Sequence, residues 1–157
     1  KGTPIDNVSN FSQKNEEIIY ITSQKELNLC RVIFATAQSM LKVVDGGEFD
    51  VTKRTVVATK LAEGDCVVSV AALTDQRNIV LQTRGGFFLR FSIDEIPEKK
   101  KGAIGVRGMK LADKDVVENV YYTKNAVETT IEYKDKELIL NNLKLGKRDS
   151  KGTKVRV

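Results

Sequence analysis

Short apolar runs separated by polar and glycine-containing breaks recur along the whole chain, and the runs are rich in Val, Ile, Thr, Phe and Tyr. Runs of this length and composition between turn residues predict β-strands. Three begin just after an acidic residue: Glu17 precedes IIYIT, Asp65 precedes CVVSV and Asp115 precedes VVENV, at separations of 48 and 50 residues. Two share a longer header, KLAEGD at Lys60–Asp65 and KLADKD at Lys110–Asp115. Self-similarity at a fixed period is the mark of a repeat architecture.

Each period continues alike. A second strand follows, RVIFAT at Arg31–Thr36, NIVLQT at Asn78–Thr83 and AVETTIEY at Ala126–Tyr133. Turns at Ala37-Gln38-Ser39, Arg84-Gly85-Gly86 and Lys134-Asp135-Lys136 lead into third strands, MLKVVD at Met40–Asp45, FFLRFSI at Phe87–Ile93 and ELILNNL at Glu137–Leu143. A basic loop comes next. The predicted fourth strands are TVVATKL at Thr55–Leu61, AIGVRGMKL at Ala103–Leu111 and TKVRV at Thr153–Val157. Helical periodicity is absent beyond one turn near Ser92–Glu95. The expected fold is all-β, a partial propeller of about three four-stranded antiparallel blades stacked on shared cores. The repeats are placed at 17–64, 65–114 and 115–157, with 1–16 finishing a preceding blade. The chain starts without Met and reads as a fragment of a longer protein.

Composition narrows the function. The 157 residues include 26 Lys+Arg and 21 Asp+Glu, a net charge of +5, and no histidine. Lack of histidine removes His-based acid–base and nucleophilic chemistry and the usual zinc sites, so no catalytic or metal residue is assigned and no cofactor is expected. Cys30 and Cys66 lack CxxC spacing and read as small buried hydrophobes in the reduced state. No apolar run approaches the ~20 residues of a membrane-spanning helix, and no membrane partner is expected. A GxxGxxG spacing at Gly102, Gly105 and Gly108 lacks the helix of a dinucleotide site, so these glycines are assigned to turns and close strand crossings. The tyrosines at 20, 121, 122 and 133 are assigned to packing or the rim.

The order of apolar strand, turn, amphipathic strand, basic loop and K-L-x-x-x-D resembles the C-terminal propeller in the A-type subunit of bacterial type IIA topoisomerases, DNA gyrase and topoisomerase IV. The best copy is TRGGFFLRF through KLADKD, and the third copy is the weakest. The resemblance implies a pinwheel whose blades exchange strands and whose basic rim binds and bends duplex DNA. It also implies cleavage chemistry elsewhere in the same polypeptide, a B-type partner subunit, and a cytoplasmic, nucleoid-associated setting. Gyrase carries a QRRGGKG-type box in this propeller. The loops here read DVTKRTVVA, EKKKGAIG and GKRDSKGTK, so either the box lies in a part of the protein outside this sequence or it is lacking, and the second reading, which favours topoisomerase IV, is preferred.

The candidate DNA contacts are the loop cations Lys53, Arg54, Lys99, Lys100, Lys101, Arg107, Lys110, Lys147, Arg148, Lys151, Lys154 and Arg156. From Ile96 to Lys110 alone, five cations against one Glu give +4. Clustered cations suit a phosphate backbone, which positions DNA without reading sequence. Lys42 and Arg90, each in a third strand, could extend this rim or simply be its outward half. Counted from the turn, they fall on opposite strand faces. An alternative function is a propeller scaffold whose basic rim meets an acidic protein.

Overall fold

Two of the predicted hairpins form over the residues the apolar runs mark, and the third is shorter. The computed structural model describes residue 20 and residues 22–50 and 59–156. In chain order the elements are a five-residue helix α1 (Gln24–Asn28), β1 (Arg31–Thr36), β2 (Met40–Asp45), β3 (Val67–Leu73), β4 (Asn78–Thr83), β5 (Phe87–Ser92), β6 (Val106–Arg107), β7 (Val117–Thr123), β8 (Thr130–Tyr133), β9 (Lys136–Ile139) and β10 (Thr153–Lys154). Single 3-10 turns at Gly46–Phe49, Ile93–Glu95 and Leu140–Asn142 follow β2, β5 and β9. Helix α1 is not predicted by the apolar pattern, although Ser23-x-x-Glu26 is an N-terminal signature: Ser23 Oγ accepts from Glu26 N at 3.3 Å.

The sheets do not coincide with the sequence repeats. The first has strand order β3-β1-β2-β6 and the second β10-β5-β4-β7, so each draws strands from successive repeats, as the family resemblance implies. The third consists of β8 and β9 among the described residues. A constant step relates the first two: Arg31 and Asn78, Met40 and Phe87, and Val106 and Thr153 are each 47 residues apart. Both carry a register irregularity at matching positions, Ala35/Thr36 and Gln82/Thr83.

The repeated header aspartates are turn clamps. Asp65 Oδ1 accepts from Gln38 N (2.9 Å) and Cys66 N (2.8 Å), and Asp115 Oδ1 accepts from Gly85 N and Val116 N (both 2.9 Å). Each thereby joins the start of one strand to the hairpin turn of the preceding repeat. The third hairpin turns differently, through Lys134 and Asp135 at φ 50° and 63°. Two positive φ values match the right-handed strand twist in a two-residue turn.

Three departures from the predicted strands have local causes. The third repeat's strand begins at Thr130 rather than Ala126, because Asn141 ties the preceding loop: it accepts from Thr129 N (2.8 Å) and donates to Lys124 O and Val127 O (both 3.1 Å). The run ELILNNL bends into a 3-10 turn after Ile139. The fourth strand AIGVRGMKL pairs only at Val106–Arg107, since residues beyond it leave β2 to meet the next loop. The predicted strands at 18–22 and 55–61, and the assignment of 1–16, lie wholly or largely outside the described residues.

β1 and β4 are buried along nearly their whole length, because both faces are covered: β4 lies between the first sheet and the third hairpin, and β1 between the second sheet and α1 with its neighbouring 3-10 turn. Between the two sheets lie Ile33, Leu41 and Val43 from the first and Ile79, Leu81, Leu89 and Phe91 from the second. The second sheet's other face carries Val80 and Phe88 against Leu140 and the third hairpin. The first sheet's outer face packs Val32, Phe34 and Val44 under Leu27 of α1 and Phe49.

Tyr122, packed against the central cluster with its hydroxyl 3.1 Å from Ser69 Oγ, is pushed up to about 12 by burial. Its neutral form is favoured in the folded chain, so this contribution is intact below pH ~10 and is lost as pH rises from ~10 to ~12. The expected loss is about 3 kcal/mol. Absorbance titration near 295 nm should show part of the tyrosine signal appearing only well above pH ~10; a single transition near pH ~10 would contradict this.

Candidate nucleic-acid interface

After leaving β5, the chain crosses back to the open edge of β2. Val43 N donates to Pro97 O (3.2 Å), and Lys99 N donates to Val43 O (2.8 Å). The segment then loops out and returns antiparallel, pairing Leu41 with Val106 and Met40 with Arg107. One repeat later the pattern recurs: Gly146 N donates to Arg90 O (2.7 Å), and Thr153 and Lys154 pair with Phe88 and Phe87. Each re-entry needs a glycine. Gly105 and Gly152 have φ of +104° and +74°, and an added Cβ would sit 2.4 Å from Leu41 O or 2.6 Å from Phe88 O.

The 47-residue step superposes the two loops cation on cation: Lys100 on Lys147, Lys101 on Arg148 and Arg107 on Lys154. In the sequence Lys53 and Arg54 stand at the same step before Lys100 and Lys101, though they lie outside the described residues. This signal is present in the sequence, where the headers, at 50 residues, mask the loop period.

Equivalent cations divide by role. Lys99, Lys100 and Lys147 are exposed. Lys101 and Arg148 are half-buried and hold their loops: Lys101 Nζ donates to Glu48 O (3.0 Å), and Arg148 Nη1 donates to Arg107 O (2.9 Å). Their backbone N–H groups donate to Glu48 Oε1 (3.3 Å) and Glu95 Oε1 (3.2 Å), two carboxylates again 47 residues apart. Sequence reasoning does not single out Glu48 and Glu95, because acidic residues among cations read there as diluting charge.

The end of the first loop meets the second. Asp149 N donates to Gly108 O (2.7 Å) and Lys110 N to Ser150 O (2.8 Å). Arg107 makes a two-pronged ion pair with Asp149, which its neighbours Lys110 and Arg148 also face. The Arg107 hydrogen bonds hold the Asp149 carboxyl below its usual range, and the same pair raises Arg107. Lys110 and Lys151 share a cavity of about 350 Å³ with Phe87 and Met109. Lys154 lies over the Phe87 ring at 5.9 Å, and Lys154 and Arg156 are exposed. Lys99 and Lys100 border a groove of about 520 Å³ opposite Asp45, Glu48 and Glu98.

Lys42 and Arg90 are placed differently from the expected rim. Lys42 is 1% exposed, and its ammonium donates to Lys101 O (2.7 Å), Ala103 O (2.6 Å) and Lys100 O (3.3 Å). Burial pulls it below the ordinary lysine range, with Glu48 opposing. Arg90 is half-buried and gives Nη1 to Asn141 O (2.8 Å) and Leu143 O (3.1 Å). Strand pairing makes Leu89 the counterpart of Lys42, and Val43 that of Arg90, so the two cations do sit on opposite faces. The Lys42 ammonium is spent inside the fold, while Arg90 engages Nη1 and stays half-buried.

The arrangement is thus a repeated crossover that carries exposed lysines on equivalent loops. Residues 31–74 and 77–124, more than half of the chain, match the family model described as the DNA gyrase C-terminal domain, beta-propeller. The chain belongs to that family. The gyrase C-terminal propeller relatives include the DNA gyrase A protein of Lawsonia intracellularis, 30% identical over 96% of this chain and 18% of the relative. The solved C-terminal domain of DNA topoisomerase IV superposes with TM-score 0.82 at 24% identity, over 97% of this chain and 49% of that one. The solved DNA gyrase A C-terminal domain gives TM-score 0.75 at 23% identity, over 98% and 52%. The chain therefore spans under a fifth of that curated relative and about half of those two solved domains. Among the described residues no helix is long and apolar enough to cross a membrane, and no group of three or more Asp, Glu or Cys side chains is placed to hold a metal ion.

Proposed function

We propose that this chain binds and bends duplex DNA as a non-catalytic part of the A-type subunit of a cytoplasmic, nucleoid-associated type IIA topoisomerase, working with that polypeptide's core and its B-type partner. The observation that supports this reading is the repetition of exposed lysines on two equivalent crossover loops, in a member of the gyrase C-terminal propeller family. Lys99, Lys100, Lys110, Lys147, Lys151, Lys154 and Arg156 are the proposed backbone contacts, with Lys53 and Arg54 added from the sequence step. Cations that contact phosphates release condensed counterions, so binding is expected to weaken steeply with salt and to ignore base sequence. Titration of a labelled duplex of about 40 base pairs between roughly 50 and 200 mM salt tests this. Undetectable binding at the lower salt, or capture of an acidic polypeptide in preference to DNA, would overturn it.

Asp149 is an acid within this surface, paired with Arg107. Asp149→Asn keeps a residue that tolerates φ of +67° while freeing Arg107. Duplex affinity is expected to rise about two- to fivefold, with a salt slope steeper by about 0.9. An unchanged slope would show that Arg107 does not reach DNA.

A further inference from the structure

We propose that Lys42 is a positioning residue for the basic loop at 99–104, its buried ammonium holding the conformation that presents Lys99 and Lys100. This rests on the DNA-binding reading and concerns the same surface. An isolated buried charge costs several kcal/mol unless its donors are satisfied. Lys42 has three N–H donors, and three backbone carbonyls of the loop receive them, at 2.6, 2.7 and 3.3 Å. The Phe34 ring lies 5.5 Å from the ammonium, and no carboxylate pairs with it among the described residues. Peptide dipoles of the loop, with the Glu48 carboxylate facing the ammonium without an ion pair, therefore supply the counter-charge.

The consequence for the loop follows from peptide geometry. A trans peptide points its N–H opposite to its C=O. With the carbonyls of Lys101 and Ala103 turned in toward Lys42, the N–H groups of Gly102 and Ile104 turn away from it. Outward amides beside lysine side chains make a surface suited to an anion. Lys42 belongs to the first sheet, and the loop arrives from the following repeat to complete that sheet through β6, so the tie fixes the incoming loop against the blade it joins. In the second sheet Arg90 ties the passing segment through two carbonyls from a non-equivalent position. A cation bound to crossover carbonyls thus recurs with different residues on different faces.

The test is a cycle with the full chain: Lys42→Met, Lys99→Ala/Lys100→Ala, and the three combined, each measured for duplex affinity against salt and for amide exchange at 100–104. Loss of two contacts at ~0.15 M salt predicts about a 25-fold weakening for the double variant. Lys42→Met should weaken binding comparably, speed exchange at 100–104, and add little in the combined variant. A Lys42→Met protein that stays folded and binds with wild-type affinity and slope overturns the inference. Lys42→Gln, which keeps two donors, serves if the methionine variant unfolds. In the unmutated protein the Lys42 ammonium should give a slowly exchanging ¹⁵N signal, and its absence overturns the inference without any substitution. If Lys99→Ala/Lys100→Ala leaves binding intact, the DNA reading of this loop fails instead, while the exchange arm still reports on the Lys42 tie.

Discussion

Replacing Lys99, Lys100, Lys147 and Lys151 together by alanine is expected to weaken duplex binding several hundred-fold at ~0.15 M salt. Each lost phosphate contact removes about 0.9 from the slope of log K against log salt, which at that ionic strength is about fivefold in affinity. Four contacts lower the slope by about 3.6 and multiply to roughly 600-fold. All four side chains are exposed. Surface changes of this kind shift stability by within about 0.5 kcal/mol, so the melting temperature should scarcely move. The decisive comparison is the slope. An unchanged slope with full affinity would mean that these loops do not meet DNA, and a lost melting transition would mean that they support the fold.

The largest expected effect on stability comes from Phe91→Ala. Phe91 is fully buried and packs in the cluster that joins the first and second sheets. Truncating a buried Phe costs the transfer free energy of the ring plus a cavity term, about 3 to 5 kcal/mol. That is a large share of the roughly 5 to 15 kcal/mol typical of a folded domain. Urea unfolding should show the loss, and amide exchange should accelerate in β1 and β4 together, because the same cavity borders both sheets. Phe87→Ala, at a half-buried ring, should cost much less. A Phe91→Ala loss below about 1 kcal/mol would mean that the sheets are not joined through this cluster.

The hairpins were legible because strand alternation and turn chemistry are local. β1, β2 and β4 match their predicted runs residue for residue, and β5 ends one residue short. The repeated Asp65 and Asp115 marked real equivalence, each clamping a hairpin turn. Less was legible where partners come from far along the chain. β6 completes a sheet whose other strands belong to earlier parts of the sequence, and it shrinks to two residues because Gly105 and the Ser150 contact end its pairing with β2. The helix at Gln24–Asn28 escapes the apolar pattern because five residues are too few to display a helical period, although the Ser23 and Glu26 pair is there to read.

By itself the sequence determined an all-β repeat, its turns, and the stepwise recurrence of cations at Lys53, Lys100 and Lys147. Tertiary structure decided which cations are available. Lys42 and Lys100 carry the same charge, yet one is sealed under Phe34 with its donors spent on carbonyls and the other lies in water. Lys101 and Arg148 turn inward to hold their loops, and Arg107 is engaged by Asp149. A side chain's charge is a property of its residue. Its exposure is set by what covers its face, and over Lys42 that cover is a crossover loop contributed by the neighbouring repeat.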